Sequence, residues 1–257
     1  MPYLNRHDSW LYYEVHGNGP PVVLLHGVGG NHASWFHQVA AWRSEFTVIL
    51  IDARGFGKST DAEVSGRSEF TNDLVAVLDE LDLRRVAFVA QSMGAGTAID
   101  FTCRFPERVS SLLIVDSLVG IQLPQPIASK MSEVQQAAGG LSQAQRVLGK
   151  SYLSRSPAMT ELYLQIAGFN TYTVKTLSGV QTSYSPQQIV ASGARIGFVV
   201  GEEDVLFPAS IVSDVCEHFP QAELITLHGA GHSAYFEVPD AFNARVGAWL
   251  RKDTAAI

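Results

Sequence analysis

Apolar residues in this chain alternate between two habits. Short unbroken runs at residues 11–15, 22–25, 47–51, 86–90, 112–115, 196–200 and 223–227 have the length of buried strands. Between most of them lie segments with helical potential, at 33–43, 70–81, 93–104, 210–217 and 239–250. In 70–81, Phe70, Leu74, Val77, Leu78 and Leu81 recur at three- and four-residue spacing and so share one helix face. Strands alternating with helices predict a mostly parallel sheet covered on both faces. Chemistry in such sheets collects at the carboxyl ends of the strands.

The alternation fails between residues 118 and 188. Glutamine, serine and alanine dominate there, and Pro124, Pro126, Pro157 and Pro186 punctuate the segment. Residues 127–138 and 157–166 read as short helices. A structureless loop of that length is rare in a compact domain. The pattern therefore predicts a helical lid at 118–188, inserted into a core formed by residues 1–117 and 189–257.

Composition narrows the partners. With 46% hydrophobic and 17% charged residues, the 257-residue chain has ample material for a large core. A net charge of −7 and the lack of any lysine–arginine cluster argue against nucleic acid or an anionic membrane. Residues 1–10 have neither the basic start nor the apolar stretch of a secretion signal, and no apolar run approaches bilayer length. The two cysteines, Cys103 and Cys216, are far apart and read as free thiols. A cytoplasmic protein acting on a small molecule is the expectation. The histidines have no metal-ligand spacing, and neither G-x-G-x-x-G nor G-x-x-x-x-G-K-[ST] occurs, so no metal or nucleotide cofactor is expected.

Chemistry enters where the run 86–90 ends in Gln91-Ser92-Met93-Gly94. A sharp strand-to-helix turn there would lift the Ser92 hydroxyl out of the sheet and set it at a helix N-terminus. Ala90 and Gly94, two positions to either side, are small enough for strand and helix to approach closely. Four other loops carry unusual residues after strand-like runs: His26–Gly30, Asp52–Ser59, Gly201–Pro208 and Gly229–His232. Acyl transfer needs such parts. A serine is a weak nucleophile until an imidazole takes its proton, and a carboxylate orients that imidazole. Two backbone N–H groups, worth roughly 3–4 kcal/mol each, hold the oxyanion.

The motifs H-G-V-G-G (26–30), D-A-R-G-F-G-K-S (52–59), A-Q-S-M-G (90–94), G-E-E-D-V-L-F-P (201–208) and G-A-G-H-S-A-Y-F-E-V-P (229–239) occur in order along nearly the whole chain. In them the chain resembles the α/β-hydrolase superfamily, in its branch of small, lidded esterase-, lactonase- and haloperoxidase-like enzymes. The resemblance implies an eight-stranded, mostly parallel, doubly wound sheet with a helical lid. It also implies Ser92 as nucleophile, His232 as base and Asp204 as acid, with the N–H groups of Val28 and Met93 as the oxyanion hole. Asp116 rivals Asp204, since some relatives place the acid after the preceding strand; Glu202 and Glu203 compete as neighbours. His26, Asp52 and Arg54 read as braces of their loops.

The expected reaction is cofactor-free hydrolysis of a carboxylic ester or lactone. Trp35, Leu206, Phe207 and Tyr235 flank the presumed catalytic groups and are expected, with Val28 and Met93, to line an apolar pocket. With only scattered lid charges, Arg146 among them, the expected substrate is mainly apolar and neutral. Carbon–carbon bond hydrolases of ring-cleavage products are an alternative, although those relatives carry asparagine where this chain has Gln91 and proline near Gly29-Gly30. A perhydrolase and a ligand-sensing receptor are further alternatives.

Overall fold

The computed structural model describes residues 3–7 and 9–254; the expected core also takes in residues 1, 2, 8 and 255–257, which lie outside the described residues. Eight strands form one sheet: β1 (Tyr3–Arg6), β2 (Ser9–His16), β3 (Pro21–Leu25), β4 (Thr47–Ile51), β5 (Val86–Gln91), β6 (Val109–Val115), β7 (Arg195–Gly201) and β8 (Glu223–Leu227). Their order is β1-β2-β4-β3-β5-β6-β7-β8. β1, β2 and β4 pair antiparallel, and every pair from β4 onward is parallel. The expected fold class holds.

After β3 the chain steps outward to β4 and then returns to place β5 on the other side of β3. That reversal opens a crevice at the carboxyl ends of β3 and β5. Ser92 follows β5 directly, and the His26 loop follows β3.

Eleven α-helices are assigned among the described residues. The core carries α1 (Phe36–Trp42), α2 (Phe70–Glu80) and α3 (Met93–Arg104). The run between β6 and β7 holds α4 (Ile127–Ala138), α5 (Gln143–Val147), α6 (Lys150–Arg155), α7 (Pro157–Ala167) and α8 (Pro186–Val190). Then come α9 (Ala209–Cys216), α10 (Ala234–Glu237) and α11 (Pro239–Thr254).

The two-residue period of the strands divides the core into two layers. Val23, Leu25, Phe88, Ala90, Leu112, Ile114, Phe198 and Val200 face Leu74, Ile99 and Val212 of α2, α3 and α9. Their neighbours Val22, Leu24, Ala87, Val89, Leu113, Val115 and Val199 face Trp42, Phe242, Val246 and Trp249 of α1 and α11. Each buried strand is apolar on both sides, as a sheet sandwiched between helix layers requires.

The segment between β6 and β7 does not behave as one unit. Ile127 and Met131 of α4 and Ile189 of α8 join the same apolar layer as α9 and α3. By contrast, α5 and α7 contribute side chains to a cavity over the carboxyl ends of the strands. Among the described residues, no helix is long and apolar enough to cross a membrane.

Candidate active site

Ser92 joins β5 to α3 with φ 50° and ψ −116°, outside the regions an L-residue ordinarily occupies. The turn is pinned on both sides. The Ser92 N–H donates to the Val115 carbonyl at 3.0 Å, and the Ser117 hydroxyl donates to the Ser92 carbonyl at 2.8 Å. The requirement for a small residue at position 94 is steric: a Cβ there would lie 2.6 Å from the Leu25 carbonyl oxygen.

Three loops converge on this turn. His232 Nε2 lies 2.9 Å from Ser92 Oγ, and His232 Nδ1 lies 3.0 Å from Asp204 Oδ2. Because a carboxylate only accepts, the neutral imidazole carries its proton on Nδ1 and accepts from the serine hydroxyl at Nε2. The other oxygen of Asp204 accepts from the N–H groups of Leu206 and Phe207 at 2.7 and 3.0 Å, which fixes the carboxylate. Asp204 and His232 are buried, while Ser92 is half-buried. Burial disfavours the imidazolium, but the charge and hydrogen bond of Asp204, helped by Asp116 and Glu237, outweigh it and raise the His232 pKa above 6.5.

The rival acids are occupied elsewhere. Asp116, fully buried, accepts from Gly201 N and Ala234 N at 2.8 and 3.1 Å. Its pKa is pushed well up, first by burial and then by the Asp204 charge. Glu203 accepts from Ser151 N at 2.8 Å, and Glu202 sits 3.1 Å from His228.

The glycine-rich loop after β3 presses against the serine turn, since a Cβ at Gly27 would fall 2.8 Å from the Ser92 Cβ. Val28 follows in that loop, and Met93 opens α3, where backbone N–H groups have no partner within the helix. His26 braces the approach. Its Nδ1–H donates to the Gly27 carbonyl at 2.8 Å, and Nε2 accepts from Ala53 N at 3.0 Å. Burial lowers its pKa, holding it neutral in this bracing role. Asp52 accepts from His32 N at 2.6 Å and Lys58 N at 2.9 Å. Arg54 reaches further than its own turn, donating to both oxygens of Asp73 at 2.6 and 2.7 Å.

A cavity of about 210 Å³ opens over Ser92 and His232. Val28 and Leu206 line it, as expected, but Trp35, Phe207 and Tyr235 do not. Trp35 and Tyr235 are fully buried and stack on each other at 4.1 Å, beneath the site in the layer of α1 and α11. Sequence adjacency placed them beside the loops that carry Ser92 and His232, yet their side chains leave on the core side. Phe207 stacks on the His232 ring at 5.6 Å and supports it. Met93 packs its side chain into a small apolar cluster with Phe56 and Phe70, leaving only its backbone for the site.

The wall includes residues that the sequence did not single out as site residues: Gln143, Val147, Tyr163, Ala167, Tyr172 and Thr173, with Arg146 beside them. Gln91, singled out only for its place before Ser92, also lines the cavity and donates to the His232 carbonyl at 2.8 Å, tying the histidine loop to the serine turn. Glu237 accepts from Gly231 N, Ser233 N and Gly149 N. It thereby joins the histidine loop to the start of α6. Burial pushes its pKa up to about 7.

Residues 20–239 match the sequence family described as the alpha/beta hydrolase fold. A protein named as a carbamate hydrolase, RutD, from Azorhizobium caulinodans is 36% identical over 118 residues, 45% of this chain and 44% of that protein. The matched part of this chain thus spans under half of that relative. A protein named as a non-heme bromoperoxidase, BpoC, from Mycobacterium tuberculosis is 28% identical over 91% of this chain and 94% of its own. Among solved structures, a thermophilic esterase from Thermogutta terrifontis with malate bound superposes with a TM-score of 0.82 at 22% identity, covering 98% of this chain and 97% of that one. Est816, described as an N-acyl homoserine lactone degrading enzyme, gives a TM-score of 0.79 at 25% identity over 96% of this chain and 99% of its own. Sheet order, serine turn and sequence match agree: this chain belongs to the α/β-hydrolase fold family.

Proposed function

We propose that the protein is a serine hydrolase that cleaves a carboxylic ester or lactone through an acyl-enzyme. The observation that carries this reading is the unbroken relay from Ser92 Oγ through His232 to Asp204, at 2.9 and 3.0 Å, opening onto a cavity. In the proposed reaction Ser92 Oγ attacks the carbonyl carbon while His232 Nε2 takes its proton. The N–H groups of Met93 and Val28 receive the oxyanion. The carbon–oxygen bond then breaks and His232 returns the proton to the leaving alcohol. Water, deprotonated by His232, attacks the acyl-enzyme, and the acid leaves with Ser92 restored. Helices α5 and α7, which wall the cavity, act as the lid.

Fluorophosphonate labelling with mass spectrometry, run beside p-nitrophenyl acetate and butyrate turnover, tests this. A single adduct on Ser92 is expected, with adduct and turnover both lost in Ser92→Ala. Turnover that survives the substitution overturns the reading. The likeness to BpoC supports a second activity at the same centre, in which hydrogen peroxide replaces water and releases a peracid. In that case peroxide-dependent bromination of monochlorodimedone disappears with Ser92→Ala.

A further inference from the structure

Arg146 projects from α5 into the wall of the cavity that holds Ser92 and His232. It is half-buried, yet its guanidinium has no ion pair or hydrogen bond among the described residues. Elsewhere in the molecule, Arg6, Arg54, Arg108 and Arg195 each hold a carboxylate. Among the described residues no carboxylate side chain lines the cavity to neutralise Arg146. Gln143 stands three residues earlier on the same helix, lines the same wall, and also has no side-chain partner among the described residues. A cation and an amide donor thus share one stretch of wall, while Val28, Val147, Ala167 and Leu206 supply apolar contact around them.

The platform is fixed rather than loose. Ser142 and Gln145 cap the start of α5 reciprocally. At its far end Leu148 is buried and Gly149 N donates to the buried Glu237 at 2.7 Å. Anchoring the helix that carries the guanidinium before a ligand arrives lowers the entropy lost on binding.

We propose that Arg146, assisted by Gln143, binds a carboxylate of the substrate, so that the substrate is an ester or lactone carrying a free carboxylate away from its scissile carbonyl. This rests on the serine-hydrolase reading and names its substrate class. One guanidinium matches one carboxylate through paired N–H···O bonds. A phosphate monoester, with nearly two charges, finds no second arginine or lysine on the wall among the described residues. The molecule as a whole carries −7 and repels anions at a distance, so an anionic substrate needs a local cation of this kind. The expectation of a neutral substrate rested on the scatter of the lid charges along the sequence; for one carboxylate a single placed arginine suffices.

The test compares p-nitrophenyl butyrate with the mono-p-nitrophenyl esters of succinate, glutarate and adipate, in wild type, Arg146→Gln and Arg146→Lys. At least one acid ester is expected to exceed the neutral ester in kcat/KM by about tenfold to a hundredfold, the range for a hydrogen-bonded charge pair. Arg146→Gln collapses that ratio toward one by raising KM for the acid ester. Arg146→Lys retains an intermediate ratio, because the charge stays and the fork is lost. A wild-type ratio near one, or a preference that survives Arg146→Gln, overturns the proposal while leaving the hydrolase reading intact. If wild type turns over none of the esters and fluorophosphonate leaves Ser92 unlabelled, the hydrolase reading fails and this proposal falls with it.

Discussion

A histidine base works only when it is neutral, and in this site its neighbours set the pH at which that holds. Burial alone would lower the His232 pKa, but Asp204, then Asp116 and Glu237, raise it above 6.5. If His232 is the proposed base, the fraction able to accept the Ser92 proton falls as pH drops through a value above that of an ordinary imidazole, and kcat/KM for an ester is expected to fall with it. Asp204→Asn removes the main opposing charge. Its acidic limb is expected to move to lower pH, with a loss of about 10³–10⁴ in kcat/KM because the ring loses its orienting acceptor. A pH–rate profile unchanged in position would remove Asp204 from the relay. At this scale the strand-to-helix turn at Ser92 was legible because a backbone motif forces it, whereas the direction of a side chain was not. Trp35 and Tyr235 lie close in sequence to the loops around Ser92 and His232, yet they stack together inside the core.

Elements were legible in proportion to how much apolar surface they bury. The pattern placed α3 and α4 at their observed limits, since both show an apolar face over eleven or more residues. It missed β1, whose four residues alternate between exposed and half-buried, and α5, α6 and α8, which are too short for periodicity to register. A local signal was present for two of them: Ser142 with Gln145, and Ser185 with Gln188, form reciprocal caps. The joint between α6 and the histidine loop depends on Glu237, whose pKa is raised from 4.5 to about 7 by burial, against the N–H groups it accepts from. A carboxyl that keeps its proton more firmly in the folded state adds stability below about pH 4.5 and loses it as pH rises through about 7. Glu237→Gln abolishes that dependence. Urea unfolding at pH 5, 6, 7 and 8 should therefore show the variant gaining on wild type as pH rises. A constant difference across the four values would mean that Glu237 titrates normally.

Across the whole molecule, the sheet and its helix layers follow from local periodicity, but the polar connection through them does not. Arg6 on β1 donates to Asp73 of α2 at 2.8 Å, across 67 positions of sequence. Asp73 holds Arg54, Arg54 lies 3.4 Å from Asp61, and Asp61 accepts from Tyr172 at 2.9 Å across 111 positions. The chain of contacts runs from the edge of the sheet to the cavity wall, where Tyr172 stands. No spacing rule links residues so far apart, so the sequence could offer Arg54 only as a local brace. Energetically the links are unequal. Arg54 is fully buried, and removing Asp73 leaves its interior charge with only the longer Asp61 contact, whereas Arg6 keeps some contact with water. Asp73→Ala should accordingly cost about 3–5 kcal/mol in urea unfolding, and Arg6→Ala under about 1 kcal/mol. Because Arg54 also steadies the Asp61 that holds Tyr172, Asp73→Ala should raise KM for ester substrates in the fraction that remains folded, with fluorophosphonate labelling of Ser92 retained. A cost under about 1 kcal/mol for both variants would mean that the buried arginine finds water or another acceptor, and that the network does not couple the sheet edge to the cavity.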